Sequence, residues 1–339
     1  MKVTTFGLDI AKRFFQLHWV DMETGEVHRR QLKREQMAEF FATCAPGVVA
    51  MEACGSAHYW ARKLSSLGHE VRLVAARFVR PFVKTNKTDA ADARAIWEAA
   101  QRPEMKFVAV KSEAQQSVLT LHRLREQLVK FRTMQTNQLR GLLYEFGVCL
   151  PAGRSKGMPA AIEALGRLED TLPAMVIDAL RQQMVRIQAL NDDIADIEKK
   201  LTLWKKQERM AANLMEIPGV GILSATAAVA TMGDAKAFKN GREFAAFLGL
   251  VPRQSGTGGK VRMLGISKRG NQYLRTLLVH GARARINFQK QRDPWIERLL
   301  ARRPFNTVVV ALANKMARTI WAMMAHDRAY QKNYVTSIA

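Results

Sequence analysis

Cysteine is scarce in this chain, and the little there is cannot build a framework. Cys44, Cys54 and Cys149 form no CxxC pair and are odd in number. That excludes a disulfide scaffold or a zinc ribbon and reads as reduced thiols in a cytoplasmic protein. Long hydrophobic runs are missing too. No apolar stretch reaches membrane-spanning length, and the opening Met1-Lys2-Val3-Thr4-Thr5-Phe6 lacks the layout of a signal peptide, so no membrane is expected among the partners. No GxxxxGK[ST] run is present, which excludes a P-loop nucleotide site. Acid is the other shortage: 30 Asp and Glu stand against 53 Lys and Arg, for a net charge of +23 and a pI near 10.4. From Val251 to Ala339 there are 17 Lys and Arg to 3 Asp and Glu, so +14 sits in the last quarter of the chain. A generally cationic surface would not concentrate charge in this way, whereas a nucleic-acid partner would. Membrane lipid fits less well, because the cations are spread over several segments rather than gathered beside an anchor. Apolar residues are not lacking. At 48% of 339 residues they exclude disorder and allow two or three domains.

The stretch Lys84-Thr85-Asn86-Lys87-Thr88-Asp89-Ala90-Ala91-Asp92-Ala93 opens a run that reads as helix to about Ala100. Asp89 and Asp92 are three residues apart and share one helical face. Taken alone, they fit a helix N-terminus capped by Thr88. They also fit half of a divalent-metal site that draws its other ligands from elsewhere. The segments before them show where those ligands would come from. Val3 to Ile10, Phe15 to Asp21 and Val27 to Lys33 read as strands, with Glu23-Thr24-Gly25 as a turn, and predict an antiparallel meander. Glu35 to Cys44 then reads as helix, Gly47 to Glu52 as strand, Ser56 to Leu67 as helix and Glu70 to Ala75 as strand. Three strands followed by alternating helices and strands is the order of a ribonuclease-H-like fold. Asp9 lies inside the first strand and Glu52 closes the fourth, each among apolar neighbours. A buried acid is costly unless paired or metal-bound. For each acid singly, a structural salt bridge is an adequate reading. Together, Asp9, Glu52, Asp89 and Asp92 are four carboxylates that this fold can bring to one sheet edge. An oxygen-only set of this kind suits Mg²⁺ or Mn²⁺ and phosphoryl chemistry.

From about Ala109 the pattern becomes purely helical. Leu121, Leu124, Leu128 and Phe131 keep helical spacing, and a break follows at Pro151-Ala152-Gly153. Ile187, Leu190, Ile194, Ile197, Leu201 and Trp204 alternate steps of three and four, a coiled-coil seam. Spacing does not say whether the seam pairs within or between chains, and a long arm in a nucleic-acid protein leans toward dimerisation. Next, Ile217-Pro218-Gly219-Val220-Gly221 resembles the hairpin of a helix-hairpin-helix unit. There the backbone around Pro218, Gly219 and Gly221 would approach a phosphate; a tight turn without ligand is the alternative, and the charge that follows favours phosphate contact. The C-terminal block holds a Gly-rich, hydroxyl-bearing loop, Arg253-Gln254-Ser255-Gly256-Thr257-Gly258-Gly259-Lys260, then Gly265-Ile266-Ser267-Lys268-Arg269-Gly270-Asn271-Gln272-Tyr273-Leu274-Arg275. Such a loop suits either a nucleophile that attacks phosphorus or a passive phosphate clamp. Arg253, Lys260, Lys268, Arg269 and Arg275 are the candidate phosphate-neutralising cations. The expected architecture is α/β plus α. It has an α/β domain over 1–108, helical coiled coil over 109–208, and a mostly helical C-terminal domain over 209–339.

Six ordered motifs carry a resemblance over nearly the whole chain. They are Gly-Leu-Asp-Ile, Met-Glu-Ala-Cys-Gly-Ser, Lys-Thr-Asp-Ala-Ala-Asp-Ala, Ile-Pro-Gly-Val-Gly, Gly-Leu-Val-Pro-Arg-Gln and Gly-Ile-Ser-Lys-Arg-Gly-Asn-Gln-Tyr-Leu-Arg. The chain resembles the bridge- or seeker-RNA-guided transposases of bacterial insertion sequences, which join a RuvC-like DEDD domain to a serine-type transposase domain. The resemblance implies Asp9, Glu52, Asp89 and Asp92 as Mg²⁺ ligands and a hydroxyl nucleophile in the 253–260 loop that links covalently to DNA. It also implies a composite site across protomers of a homodimer or homotetramer, and a structured noncoding RNA that pairs with donor and target DNA. The family serine precedes a glycine about five residues after the Pro of Gly-Leu-x-Pro. That register selects Thr257, whereas the less hindered primary hydroxyl selects Ser255. Two rivals remain at this level: a junction nuclease in which the four acids activate water, and a non-catalytic nucleic-acid-binding protein with structural acids.

Overall fold

The computed structural model describes residues 3–83, 88–289 and 293–332. Lys84 to Lys87, which begin the Asp89 motif, lie outside the described residues. The chain forms two compact units, one of residues 1–116 with 232–240, the other of residues 117–231 with 241–339.

The first unit follows the hydrophobic pattern closely. Strands β1 (Thr5–Ile10), β2 (Phe14–Val20) and β3 (Val27–Lys33) lead through a 3₁₀ turn into α1 (Met37–Thr43). Next come β4 (Val48–Glu52), α2 (Ala57–Ser66), β5 (Glu70–Val74), the short α3 (Ala76–Val79), α4 (Asp89–Ala100) and β6 (Phe107–Val108). The sheet order is β3-β2-β1-β4-β5-β6, with β1, β4 and β5 parallel and the other pairings antiparallel. The expected meander is therefore present, and β6 is an added edge too short to show periodicity. Side-chain alternation sorts the two faces. Leu8, Ile10, Val49, Met51 and Leu73 pack with Phe41, Trp60 and Leu64 of α1 and α2. Ala50 and Val74 pack with Ala95, Ile96 and Ala99 of α4. His69 fixes the start of β4. Its Nδ1 accepts from the Gly47 amide at 3.1 Å, so its Nε2–H donates to the Phe41 carbonyl at 2.9 Å.

In the second unit two long helices, α5 (Glu113–Glu145) and α7 (Ala174–Gln207), flank α6 (Arg154–Leu168). The seam pairs within the chain, from Ser117 onward, and runs antiparallel. Val118 packs with Ile197 and Leu201, Arg125 bonds Glu198 at 2.7 Å, and Arg132 bonds Asn191 at 3.1 Å. Gln183 donates to the Gln135 carbonyl at 3.0 Å. Leu139 and Leu143 meet Ile177, Leu180 and α6 at the tip. Residue numbers on one helix rise as those on the other fall, so the arm is a folded-back hairpin of helices that covers its own apolar stripe. The remaining elements are α8 (Arg209–Leu214), α9 (Ile222–Met232), α10 (Gly241–Phe247), β7 (Pro252–Thr257), β8 (Lys260–Ile266), α11 (Gln272–Phe288), α12 (Pro294–Leu300) and α13 (Phe305–His326).

By length and composition α13 is the one helix among the described residues that could cross a membrane. This departs from the expectation that no apolar run reaches that length. In the fold it is a packed helix instead. Val308, Leu312, Met316 and Ile320 are buried, it packs on α10 and α11, and its Lys315 ammonium sits 4.7 Å from the Trp295 ring centre.

Candidate active site

Strand alternation puts Asp9 and Glu52 on one face of the first sheet, at the ends of adjacent strands, and α4 packs across that face. Gly7 lies under α4. A Cβ on it would fall 2.6 Å from the Trp97 Cβ and 2.8 Å from the Trp97 nitrogen. Only glycine allows β1 and α4 so near each other. Asp9, two residues on, leaves the strand on the same face as Gly7. Glu52 stands in the same relation to Ala50, which packs against α4. The parallel register ends at Leu8 opposite Met51, so Asp9 and Glu52 are the next residues of adjacent strands. Both are half-buried. Desolvation raises the Cys54 thiol pKa, and the negative charges of Glu52 and Asp9 beside it raise it further.

Helix α4 supplies the other pair. Thr88 caps it, its hydroxyl accepting from the Ala91 amide at 3.2 Å, and Asp89 and Asp92 occupy the first turn. There the macrodipole favours negative charge. Asp89 is one turn before Ala93, whose carbonyl overlies Gly7. Among the described residues no three His, Cys, Asp or Glu side chains gather into a metal-holding group. The backbone puts Asp9 and Glu52 on the face that α4 covers, with Asp89 and Asp92 in the first turn of that helix. The donor set, carboxylate oxygen alone, is the chemistry that hard divalent cations take.

The 253–260 segment, expected as a loop, is a β-hairpin, with Ser255 and Thr257 on β7. Gly258 and Gly259 have φ of +56° and +78°, the pair of positive values that a two-residue hairpin turn requires. In register, Thr257 faces Lys260, Gly256 faces Val261, Ser255 faces Arg262 and Gln254 faces Met263, with a shift at Arg253. Every residue from Pro252 to Met263 is exposed.

The other predicted contacts divide. Arg253, Lys260, Lys268 and Arg269 are exposed. Arg275 is engaged internally, donating to the Leu248 carbonyl at 2.8 Å and the Arg269 carbonyl at 3.1 Å. Burial lowers its pKa. It ties the Gly-Leu-Val-Pro and Ser-Lys-Arg-Gly motifs together at the base of the hairpin. Pro218, Gly219 and Gly221 lie in the turn between α8 and α9. There Gly219 meets Gly281 of α11, and a Cβ on it would fall 2.9 Å from the Gly281 carbonyl oxygen. A close crossing inside the unit is thus sufficient reason for that glycine.

Sequence reading missed two neighbours of the site. Gln16 pairs with Asp9 across β1 and β2, and Arg262 pairs with Ser255. Counting register back from the Gly-Gly turn would have found the second.

Comparison with known proteins identifies the family. A family model described as "Transposase", of the DEDD type named for IS110, matches residues 6–147. A second, described as "Transposase IS116/IS110/IS902 family", matches residues 211–296. A probable family 20 transposase of Pseudomonas aeruginosa is 48% identical over 98% of this chain and 99% of its own length. The transposase for insertion sequence element IS1328 of Yersinia enterocolitica is 40% identical over 97% of this chain and 99% of its own. That for IS1111A of Coxiella burnetii is 39% identical, with 97% and 92% covered. A DEDD module at the acid-bearing sheet and a transposase module over the hairpin, in full-length relatives, place the chain: it belongs to the IS110/IS116 family of DEDD transposases.

Proposed function

We propose that this transposase cuts and rejoins DNA through a covalent protein–DNA intermediate, with Asp9, Glu52, Asp89 and Asp92 holding Mg²⁺ (or Mn²⁺) and a hydroxyl of the hairpin, Ser255 or Thr257, as nucleophile. The observation that supports the reading is the placement of Asp9 and Glu52 at adjacent strand ends on the face that α4 covers, with Asp89 and Asp92 in the first turn of that helix. A divalent ion there would supply charge neutralisation at a phosphate. The hydroxyl oxygen bonds to phosphorus while the bond from phosphorus to a deoxyribose oxygen breaks. The hydroxyl proton passes to a basic group or solvent, and the departing deoxyribose oxygen takes up a proton. Attack by another strand's hydroxyl on the same phosphorus reverses the step and joins new partners. Because the phosphoester energy is conserved in the adduct, no ATP is required.

The sequence divides functionally into a catalytic segment 1–108, a helical segment 109–208 and a nucleophile-bearing segment 209–339. Arg253, Lys260, Lys268 and Arg269 neutralise DNA backbone phosphates, and the backbone at Pro218, Gly219 and Gly221 adds a docking contact. A structured noncoding RNA, by pairing with donor and target DNA, supplies the sequence choice. The supporting observation is the C-terminal excess of +14, suited to reading phosphates rather than bases. A homodimer or homotetramer would let one copy's acids serve another's hairpin.

The test is adduct trapping. Full-length protein, the RNA transcribed beside its gene, Mg²⁺ and a nicked target duplex are run on a denaturing gel, and the linked peptide is mapped. An adduct at Ser255 or Thr257 is expected, with Asp9→Asn and Asp89→Asn lowering its yield at least about 100-fold. Cleavage with free ends and no adduct would identify a water-using nuclease instead. Unchanged activity in both Asn variants would make the acids structural.

A further inference from the structure

The hairpin carries more than its hydroxyls. Directly opposed residues of an antiparallel pair point to the same face, and alternate residues share it. The register therefore puts Ser255, Thr257, Lys260 and Arg262 on one face and Gln254, Gly256, Val261 and Met263 on the other. One face holds two hydroxyls and two cations. The other carries no charge and presents Val261 and Met263, 66% and 58% exposed, beside Gln254 and Gly256. This two-sided division cannot be seen when the segment is read as a loop.

We infer that Arg262, which no sequence motif singled out, is a catalytic residue that binds the non-bridging oxygens of the phosphate under attack by the hydroxyl on its own face. The inference rests on the reading that a hairpin hydroxyl is the nucleophile. Arg262 lies directly across from Ser255 and one diagonal step from Thr257, both within reach of a long side chain. It therefore serves whichever hydroxyl attacks. As the oxygen adds to phosphorus and before the leaving oxygen departs, negative charge grows on the two non-bridging oxygens. A planar guanidinium matches those two oxygens with two parallel N–H donors.

The other cations of the block are placed differently. Arg253 sits at the register shift, out of the alternation, and Arg275 is held by the Leu248 and Arg269 carbonyls. Lys260, beside the turn, offers a point charge without the fork. Arg262 supports no core, since β8 is exposed around it, so a role in the fold does not explain it.

The experiment measures single-turnover adduct formation by full-length protein with its RNA and Mg²⁺, on nicked duplexes bearing either the native phosphodiester or one methylphosphonate at the scissile position. The methyl group removes the charge that Arg262 would meet. On the native backbone Arg262→Ala should slow adduct formation about 100-fold, with duplex affinity changed less than about threefold because one of many phosphate contacts is lost. Arg262→Lys should recover part of the rate. On the methylphosphonate the gap between Arg262→Ala and the wild type should shrink to a few-fold. Guanidinium added to Arg262→Ala on the native duplex should restore rate, a second readout that a structural defect would not give.

A native-backbone rate within about threefold of wild type would overturn the assignment. So would a deficit of the same size on both backbones with no guanidinium rescue. A wild-type protein that cuts without forming any adduct removes the hydroxyl nucleophile itself, and Arg262 with it. That failure shows in the wild-type lane, apart from any result with the variants.

Discussion

His122 illustrates how a single side chain in this protein is governed by surroundings that its sequence neighbours do not reveal. Its ring lies between the Tyr273 hydroxyl, 2.9 Å from Nδ1, and the Thr226 hydroxyl, 3.0 Å from Nε2. Thr226 already donates to the Ile222 carbonyl at 2.7 Å, so its oxygen accepts from His122 Nε2–H. Nδ1 then accepts from Tyr273. Both sites of a neutral imidazole are thus satisfied, while burial, and after it the nearby Arg125 charge, push its pKa down to about 4. Tyr273 belongs to a motif that suggested phosphate contact, yet here it holds α11 to α5. The unfolded chain binds a proton near pH 6.5 that the folded chain refuses until about pH 4. This contribution is whole above pH 6.5 and is lost as pH falls toward 4, by roughly 3 kcal/mol in all. Urea unfolding at pH 7.5 and pH 5 should show a loss of stability that is smaller in His122→Gln. An equal pH dependence in the two proteins would refute the assignment.

At the level of elements, legibility tracks how locally each one is determined. The meander, β4, α2 and β5 could be read because their alternation and short turns are written in adjacent residues, and Asp9 and Glu52 inherited their positions from it. The hairpin could not. Its strands bury nothing, β7 has no apolar alternation and that of β8 is short, and its Gly-Gly turn reads as loop. The partner of the α7 seam was likewise beyond reach, because a heptad-like stripe defines a surface without naming what covers it. The structure covers it with α5 of the same chain. Disrupting the seam should therefore unfold the arm rather than separate copies. Leu201→Ala, at a fully buried position, should cost about 2–5 kcal/mol. It should also lower the melting temperature independently of protein concentration, as followed by circular dichroism. A melting temperature that climbs with concentration, together with a change in oligomer mass, would show instead that the seam also works between chains.

Across the molecule, the sequence says most clearly that charge is placed for a polyanion, and the fold says how that charge is divided. Asp9 and Glu52 lie at adjacent strand ends of the first unit, while the C-terminal segment from Val251 carries 17 cations to 3 acids. Some of those cations are used internally: Arg275 by two carbonyls and Arg285 by Asp293 at 3.8 Å. Others, Arg253, Lys260, Lys268 and Arg269 among them, stand exposed on or beside the hairpin. If charge arranged in this way grips the backbone without reading bases, as proposed above, protein alone should bind unrelated duplexes with similar affinity and release them as salt rises. If six to ten phosphates are neutralised, affinity should fall about 10³- to 10⁵-fold between 50 and 200 mM salt. Fluorescence anisotropy with a labelled duplex measures the slope directly, and Lys260→Ala and Lys268→Ala should each reduce it by about one contact. A slope near that of a single contact, or a strong preference for one duplex in the absence of RNA, would mean that the protein itself reads sequence. The cationic block would then have to be re-read as a base-contacting surface.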